Sequence, residues 1–275
     1  SILPTFFTSR TTEGRIVGVC STNVDDLLYG HVVEYEPVMK KVLDKFKVRE
    51  ENVAPFRFCG KEIIQDEDFN IYVNAKDNTE KLKKIEIKPH RKLNDDNDAE
   101  ETTALRSAVA SLAWIARQVR PSLCYRVSRL QTVASKALIK DCKDCNKLID
   151  EVVEDSGQGL FFASDGVKWE DAIVCTIADS NWGQEKVAFQ VEGDITYEDG
   201  RSQTGYMLCL VPNDAANRET MPFHLISWSS TVEKRAVSST LHAETYAMQK
   251  GTASGARLRA AIVDMCKSSL CTAIV

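Results

Sequence analysis

The chain has 275 residues, of which 43% are hydrophobic and 27% charged, a composition typical of a folded domain rather than a disordered one. No apolar run approaches the roughly 18 residues of a membrane span, which argues against a bilayer protein. The formal net charge of −5 argues against a generic polyanion-binding protein. Nine scattered Cys without a secretory signal indicate a reducing compartment, cytoplasmic or nuclear, and the start at Ser1 predicts a segment cut from a longer chain.

The N-terminal and C-terminal parts of the chain are both predicted to be mixed α/β. The elements expected before residue 80 are a pair of strands at 16–20 and 27–29, a helix at 36–47, and strands at 56–58 and 71–73. After residue 160 we expect strands at 173–178, 205–211 and 223–229, a long helix at 240–266 and the start of another strand at 273–275. Three strands and a helix are the beginning of an α/β unit.

Two blocks of opposite charge divide the chain. Residues 81–92 hold six Lys or Arg and one Glu, and residues 94–101 hold five acids and no base. Such a pair of blocks is typical of a solvated linker. We accordingly predict four parts, at 1–75, 76–102 (the charged linker), 103–160 and 161–275.

The stretch that follows the blocks combines basic charge with helical periodicity. Residues 102–140 carry seven Lys or Arg and no acid. Two stripes run along the first predicted helix, an apolar one of Leu105, Val109, Leu112, Ala116 and Val119 and a basic one of Arg106, Arg117 and Arg120. The basic stripe is either chance surface composition or a surface that faces phosphates, where local charge matters more than the total.

Proline, capping and glycine signals predict the helix boundaries in this region. Pro121 is expected to end the first helix, and Ser122 to cap a second, whose buried face comprises Leu123, Val127, Leu130 and Ala134. A third helix is predicted at 144–155, ending before Gly157.

Three acidic features could carry chemistry. Asp25 and Asp26 are adjacent in a predicted turn, where a cation would relieve their repulsion, although a solvated turn explains the pair as well. Asp179 ends an apolar strand, a common position both for functional carboxylates in α/β sheets and for turn caps. Glu244 lies in the Ala-rich helix and is by itself an ordinary surface glutamate.

Other common site signatures are weak or absent from the sequence. Cys142 and Cys145 form one CxxC, without the second pair of Cys or His that a structural zinc needs. There is no GxSxG nucleophile motif, no Walker motif and no GxGxxG.

Seven short runs occur in an order that points to a known family. They are NVDDLL at 23–28, FRFCGKEI at 56–63, the interrupted LRS, SLAW, RP and YRVSRL run at 105–130, ADSNW at 178–182, RSQTGY at 201–206, ISWSS at 226–230 and AE at 243–244. Each is weak alone, but in this order they resemble the Pol polyprotein of copia-type LTR retrotransposons, from late reverse transcriptase into ribonuclease H. The similar zones cover residues 14–63, 103–131 and 173–248.

The resemblance implies a polymerase that copies RNA into DNA, followed by a nuclease that removes the RNA strand. The implied fold class is α/β (α+β). It comprises a partial reverse-transcriptase palm, a helical thumb or connection region, and a truncated RNase H-like three-stranded antiparallel sheet plus helix.

The resemblance also carries functional roles over to matching positions. Asp25 and Asp26 match metal-binding polymerase carboxylates, and Asp179 and Glu244 match the first two of four nuclease carboxylates that hold two Mg²⁺ ions. The arginines expected to face the backbone of a template–primer duplex or RNA–DNA hybrid are Arg106, Arg117, Arg120, Arg126 and Arg129. The rest of the Pol polyprotein is the expected protein partner, and no membrane is expected.

Departures from the family predict a weak enzyme. Asn23 stands where the family has Tyr, another polymerase Asp would lie before residue 1, and no Asp after Glu244 matches the third nuclease carboxylate. Mg²⁺ demands good geometry, so we expect the 275 residues alone to be nearly inactive in both reactions. Two alternatives stay open: a non-catalytic nucleic-acid-binding remnant that uses the basic helices at 102–140, and an unrelated α/β domain whose motifs match by accident.

Overall fold

The computed structural model describes residues 5–46, 48, 50–168, 171–183, 185–191, 194–233 and 237–266, with 185–191 and 194–200 described by their backbone. Within this part of the chain the fold is mixed α/β, with antiparallel sheets of three, four, three and two strands and six α-helices. This confirms the predicted α/β class. The strand predicted at 273–275 lies outside the described residues.

The first sheet is the predicted hairpin with an additional strand. Its members β1 (Phe6–Arg10), β2 (Ile16–Asn23) and β3 (Asp26–His31) pair antiparallel in that order. β1 is not predicted from the sequence. Helix α1 follows at Glu36–Phe46, one residue shorter than the predicted 36–47.

The second sheet connects distant parts of the chain. Its strands are β4 (Phe56–Phe58), β5 (Lys61–Gln65), β6 (Ile71–Asn74) and β7 (Gly159–Phe162), in that order. A Cβ at Gly159 would lie 2.1 Å from the carbonyl oxygen of Val73, so this pairing requires glycine. The first predicted part, 1–75, therefore shares a sheet with residues that follow the helices, whereas the four-part division itself stays a prediction.

The segment predicted as a solvated linker is structured, which corrects the interpretation of its charge blocks. It contains a short helix, α2 (Lys76–Glu80), and Ile85, which is buried in the helical core. The Asn146 side chain accepts a hydrogen bond from the Ile85 backbone N–H at 2.7 Å and donates one to its carbonyl at 2.9 Å. The blocks also neutralise each other, because Lys88 pairs with Asp98 at 2.7 Å.

Three helices form the centre of the structure. They are α3 (Ala99–Gln118), α4 (Cys124–Val133) and α5 (Ile139–Glu154). The predicted apolar stripe of α3 is confirmed, since its five members are all buried: Leu105, Val109, Leu112, Ala116 and Val119. They pack with the apolar faces of α4 and α5 in one core cluster.

Two predicted boundaries in this region are wrong. Ser122 does not cap α4: a 3₁₀ turn at Pro121–Leu123 leads directly into the helix, and no side chain caps its N-terminus. Helix α5 begins at Ile139 rather than at residue 144. The earlier start buries Ile139 and Cys142, which therefore belong to the helix face that packs into the core.

The C-terminal part contains the predicted three-stranded sheet. β8 (Ala172–Ser180), β11 (Gln203–Pro212) and β12 (His224–Val232) pair antiparallel in the order β12-β11-β8. An unpredicted hairpin of β9 (Glu185–Val191) and β10 (Asp194–Arg201) lies between β8 and β11 in the sequence. Helix α6 (Thr240–Cys266) has the predicted bounds. None of the helices in the described ranges is long and apolar enough to cross a bilayer.

The buried ion pair at the start of α3 predicts a large difference between adjacent glutamates. Glu101 is 2% exposed and accepts hydrogen bonds from Arg91 at 3.0 Å and from the Asp98 N–H at 2.9 Å, whereas the Glu100 side chain is 83% exposed. We expect Glu101→Ala to lower the free energy of unfolding by about 3 kcal/mol, because it leaves the Arg91 charge uncompensated. The matched control Glu100→Ala should cost less than about 1 kcal/mol. Urea unfolding measures both, and equal effects would contradict the assignment.

Candidate functional site

Asp25 and Asp26 lie at the tip of the β2–β3 hairpin. Asn23 pairs with Asp26, so Val24 and Asp25 form a two-residue turn, in which Val24 has a positive φ of 53°. Both Asp side chains are exposed to solvent. The predicted tight turn is therefore confirmed, with one Asp in the turn and the other at the first position of β3.

Strand alternation decides where Asp179 lies. Thr176 and Ala178 face α6, because a Cβ built on Gly251 would lie 2.9 Å from Thr176 Cγ2 and 3.2 Å from Ala178 Cβ. Successive side chains of a strand point to opposite faces. Asp179, an exposed residue paired with Gly205 of β11, is therefore on the face of β8 away from α6.

Glu244 lies in the first turns of α6, beside the residues that pack on the sheet. Ala243 and Ala247 are completely buried. Together with Gly251 and Gly255 they form a line of small residues along one face of α6. Glu244 is next to this line and half-buried. It belongs to the helix on one face of the sheet, whereas Asp179 is on the other face.

The two pairs of acids belong to different elements: Asp25 and Asp26 are at the β2–β3 hairpin, whereas Asp179 is in β8 and Glu244 in α6. The Arg10 guanidinium of β1 donates a hydrogen bond to the backbone carbonyl of Met265, so the first sheet meets the C-terminal end of α6. Glu244 lies near the N-terminal end of α6, about 30 Å from Met265 along the helix axis. Among the described residues, no group of three or more His, Cys, Asp or Glu is arranged to hold a metal ion.

Arg120 does not belong to an exposed basic stripe, which corrects its predicted role. It is 6% exposed, and its guanidinium donates to the carbonyl oxygens of Val152 at 3.0 Å and Asp155 at 2.9 Å. Those carbonyls are at the C-terminal end of α5, where a cation is favourable. Burial lowers the pKa of Arg120, and the nearby Asp155 carboxylate opposes this shift. The residue holds two helices together.

The other four predicted arginines are exposed, but they differ in their surroundings. Arg106 and Arg117 lie on one side of α3. Arg126 forms two hydrogen bonds with the Glu151 carboxylate, which raise its pKa. Arg129 lines a groove between α4 and α5 together with Asp141 and Asp144. Only part of the predicted basic surface is thus free of nearby carboxylates.

Hydrogen bonds that the sequence did not predict connect the sheet β12-β11-β8, called the last sheet below, to the central helices. The Trp228 indole donates to the Ala116 carbonyl of α3 at 2.9 Å. Gln203 is buried, and its amide donates to the Ser128 hydroxyl of α4 at 3.1 Å. Both residues lie in runs that carry the family resemblance, ISWSS and RSQTGY, and in the structure these runs supply contacts to the central helices.

The comparisons with known proteins identify no family. No protein-family model matches the chain, and no curated protein matches it. The resemblance described above therefore rests on the seven runs and on their order along the chain.

The close approach of α6 to β8 predicts that one glycine cannot be replaced. A Cβ at Gly251 would press on the stiff Thr176 side chain and on the Cβ of Ala178, which moves only with its strand. We expect Gly251→Ala to destabilise the protein by about 1–3 kcal/mol, although alanine stabilises an isolated helix by about 1 kcal/mol relative to glycine. Thermal unfolding tests this, with Thr252→Ala at the exposed neighbouring position as the control. A stabilised Gly251→Ala protein would contradict the packing.

The CxxC thiols are buried rather than poised for metal binding or reaction. Cys142 and Cys145 are fully buried in α5, whereas Cys59 is exposed. Burial raises the pKa of Cys142, and it raises the pKa of Cys145 to about 12, with a further contribution from Cys142. A thiolate is the reactive and metal-binding form, so these two positions are expected to be inert in the native protein.

This burial predicts a labelling pattern and a pH dependence. At pH 8 a thiol reagent should modify Cys59 rapidly and Cys142 and Cys145 only after unfolding, as peptide mapping would show. The unfolded chain loses the Cys145 proton near pH 9, before the folded chain does, so stability should fall as the pH rises from 9 toward 12. Cys145→Ala should make that fall shallower. Rapid native labelling of Cys145 would contradict the burial.

Proposed function

We propose that the chain is a segment of a copia-type reverse transcriptase and ribonuclease H polyprotein. In that polyprotein it would take part in RNA-directed DNA synthesis and in removal of RNA from RNA–DNA hybrids, in the cytoplasm or nucleus. The observation that carries the proposal is the antiparallel sheet β12-β11-β8 with α6 after it, in which Asp179 is one residue before the end of β8 and Glu244 lies in the first turns of α6. Asp179 belongs to the run at 178–182 and Glu244 to the run at 243–244, and these matches support the proposal.

The proposed roles follow the resemblance. Asp179 and Glu244 would be nuclease carboxylates, Asp25 and Asp26 polymerase carboxylates, and the substrate a template–primer duplex or RNA–DNA hybrid. Mg²⁺ would neutralise the charge that develops on the attacking and leaving oxygens. The rest of the Pol polyprotein would supply the remaining parts of both sites.

The described residues do not by themselves make a two-metal site. Asp179 and Glu244 belong to opposite sides of β8, and no third acid of the described chain joins either of them in a group that could hold a metal. Two carboxylates are too few ligands for two Mg²⁺ ions. We therefore propose no cleavage step for these 275 residues alone.

The test of the proposal uses both the present chain and its longer reading frame. The transcript on either side is sequenced first, and the chain is extended to include any adjoining open frame. We expect the extended protein, but not the 275 residues, to cleave a labelled RNA–DNA hybrid in Mg²⁺. Asp179→Asn and Glu244→Gln should each abolish cleavage and retain hybrid binding, because they remove a metal ligand without changing side-chain size. The exposed Asp165→Asn is the control.

Two outcomes would contradict the proposal. One is a flanking sequence with stop codons or unrelated reading frames on both sides. The other is cleavage by the extended protein that survives Asp179→Asn. Mg²⁺-dependent cleavage by the 275 residues alone would show instead that the carboxylates assigned as missing are not required.

A second candidate function is non-catalytic nucleic-acid binding through α3. The exposure of Arg106 and Arg117 on one side of that helix favours it. In this case hybrid binding would survive Asp179→Asn, no extended chain would cleave, and log affinity would fall with log salt by about 0.7–0.9 per phosphate contact. Replacing Arg106 and Arg117 by Gln should then reduce that slope by about one for each arginine.

A further inference from the structure

A cavity of about 740 Å³ lies between α6 and β12, on the helix-covered face of the last sheet. It exists because α6 packs over β8 and β11. The glycines of the helix lie against Thr176 and Ala178 of β8 and against Tyr206 and Leu208 of β11. The side chains of β12 on the same face therefore extend beyond the helix and form one wall of the cavity.

The helical wall of the cavity is a single face of α6. It presents Tyr246, Lys250, Ser254 and Arg257 at intervals of four, four and three residues, which places them one above another. The opposite wall carries the Tyr206 ring and the hydroxyls of Ser229 and Thr231. The lining thus combines two aromatic rings, several hydroxyls and two cations.

The charges in the cavity are unevenly balanced. Glu233 is 9% exposed, accepts a hydrogen bond from the Thr204 hydroxyl at 2.9 Å and pairs with Lys250. This pair is neutral and ties the end of β12 to the helix. Arg257 is exposed and donates to the Ser254 hydroxyl at 3.2 Å, and no carboxylate of the described chain pairs with it. Among the side chains that the structure describes, the positive charge at this end of the cavity is therefore uncompensated.

We propose that this cavity binds a nucleoside monophosphate unit. The planar Arg257 fork and the Ser254 hydroxyl would hold the phosphate, since a guanidinium matches phosphate oxygens in bidentate geometry. The base would lie against the tyrosine rings, of which Tyr246 is held in place by stacking on His242 at 4.9 Å. The volume falls within the range of about 300–1,000 Å³ that is usual for small-molecule sites.

This site goes beyond the function proposed above and is independent of it. It needs neither a metal ion nor a second strand. Its walls are on the α6 face of the sheet, whereas Asp179 is on the other face. Failure of hybrid cleavage would therefore leave the cavity proposal intact, and failure of nucleotide binding would leave the nuclease proposal intact.

Equilibrium dialysis of the full chain against AMP tests the proposal. We expect saturable binding of one AMP per chain, weakened about tenfold or more by Arg257→Gln, because a charge-assisted hydrogen bond to the phosphate is lost. Ala253→Leu, which fills the cavity without changing charge, should also abolish binding. The matched control is Arg259→Gln, on the same helix but outside the cavity lining, and it should bind AMP like the unmodified protein.

Three results would overturn the proposal: no saturable AMP binding, equal affinity in Arg257→Gln and Arg259→Gln, or inorganic phosphate that binds as tightly as AMP. The last result would exclude a contribution from the base. Circular dichroism shows whether each variant is folded. If Arg257→Gln is unfolded, the affinity of Ala253→Leu decides the question.

Discussion

Leu105 and Leu112 of α3 are completely buried, and the central part of the fold is arranged around the stripe that they share. Helices α4 and α5 and the segment through Ile85 pack on it in one cluster. The last sheet is held to the same helix from another side, through the hydrogen bond of Trp228 to Ala116. Because protein interiors are close-packed, a shift of α3 would move the sheet and the helices together. The stripe thus positions the central helices and the sheet β12-β11-β8.

Helical periodicity predicted this centre well, and charge predicted it poorly. The apolar stripe of α3 is explicit in the sequence, because one face of a helix must be buried for the helix to be stable. Arg120 has the same phase as exposed arginines, yet it is buried, since the carbonyls at the end of α5 satisfy its donors. The charged segment at 81–101 is similar. Its opposite charges pair with one another, and the apolar Ile85 within its basic block reaches the core.

The face on which Asp179 lies could not be predicted from the sequence. Both sides of β8 are apolar: Val174 packs with Ile262 beneath α6, and Ile173 and Cys175 pack with a second cluster on the other face. A strand with two apolar faces has no alternation from which its orientation could be read. The sequence therefore identified the strand, its end and its acid, but the orientation depends on which side α6 packs. The glycines of α6 determine on which side of β8 the helix packs, and their contacts with β8 are visible only in the structure.

The same glycines explain why the last sheet has both a tight and an open region. With no side chain at Gly251 and Gly255, α6 approaches β8 and β11 so closely that a Cβ at Gly251 would lie 2.9 Å from Thr176 Cγ2. A helix is only about 10 Å wide, close to the spacing of two strands with their side chains. A helix centred on two strands in this way leaves the third uncovered on one side. The hydroxyl-bearing face of β12 and the cation-bearing face of α6 are thus left uncovered by the same packing arrangement. The positions of the glycines in α6 therefore determine where the cavity forms.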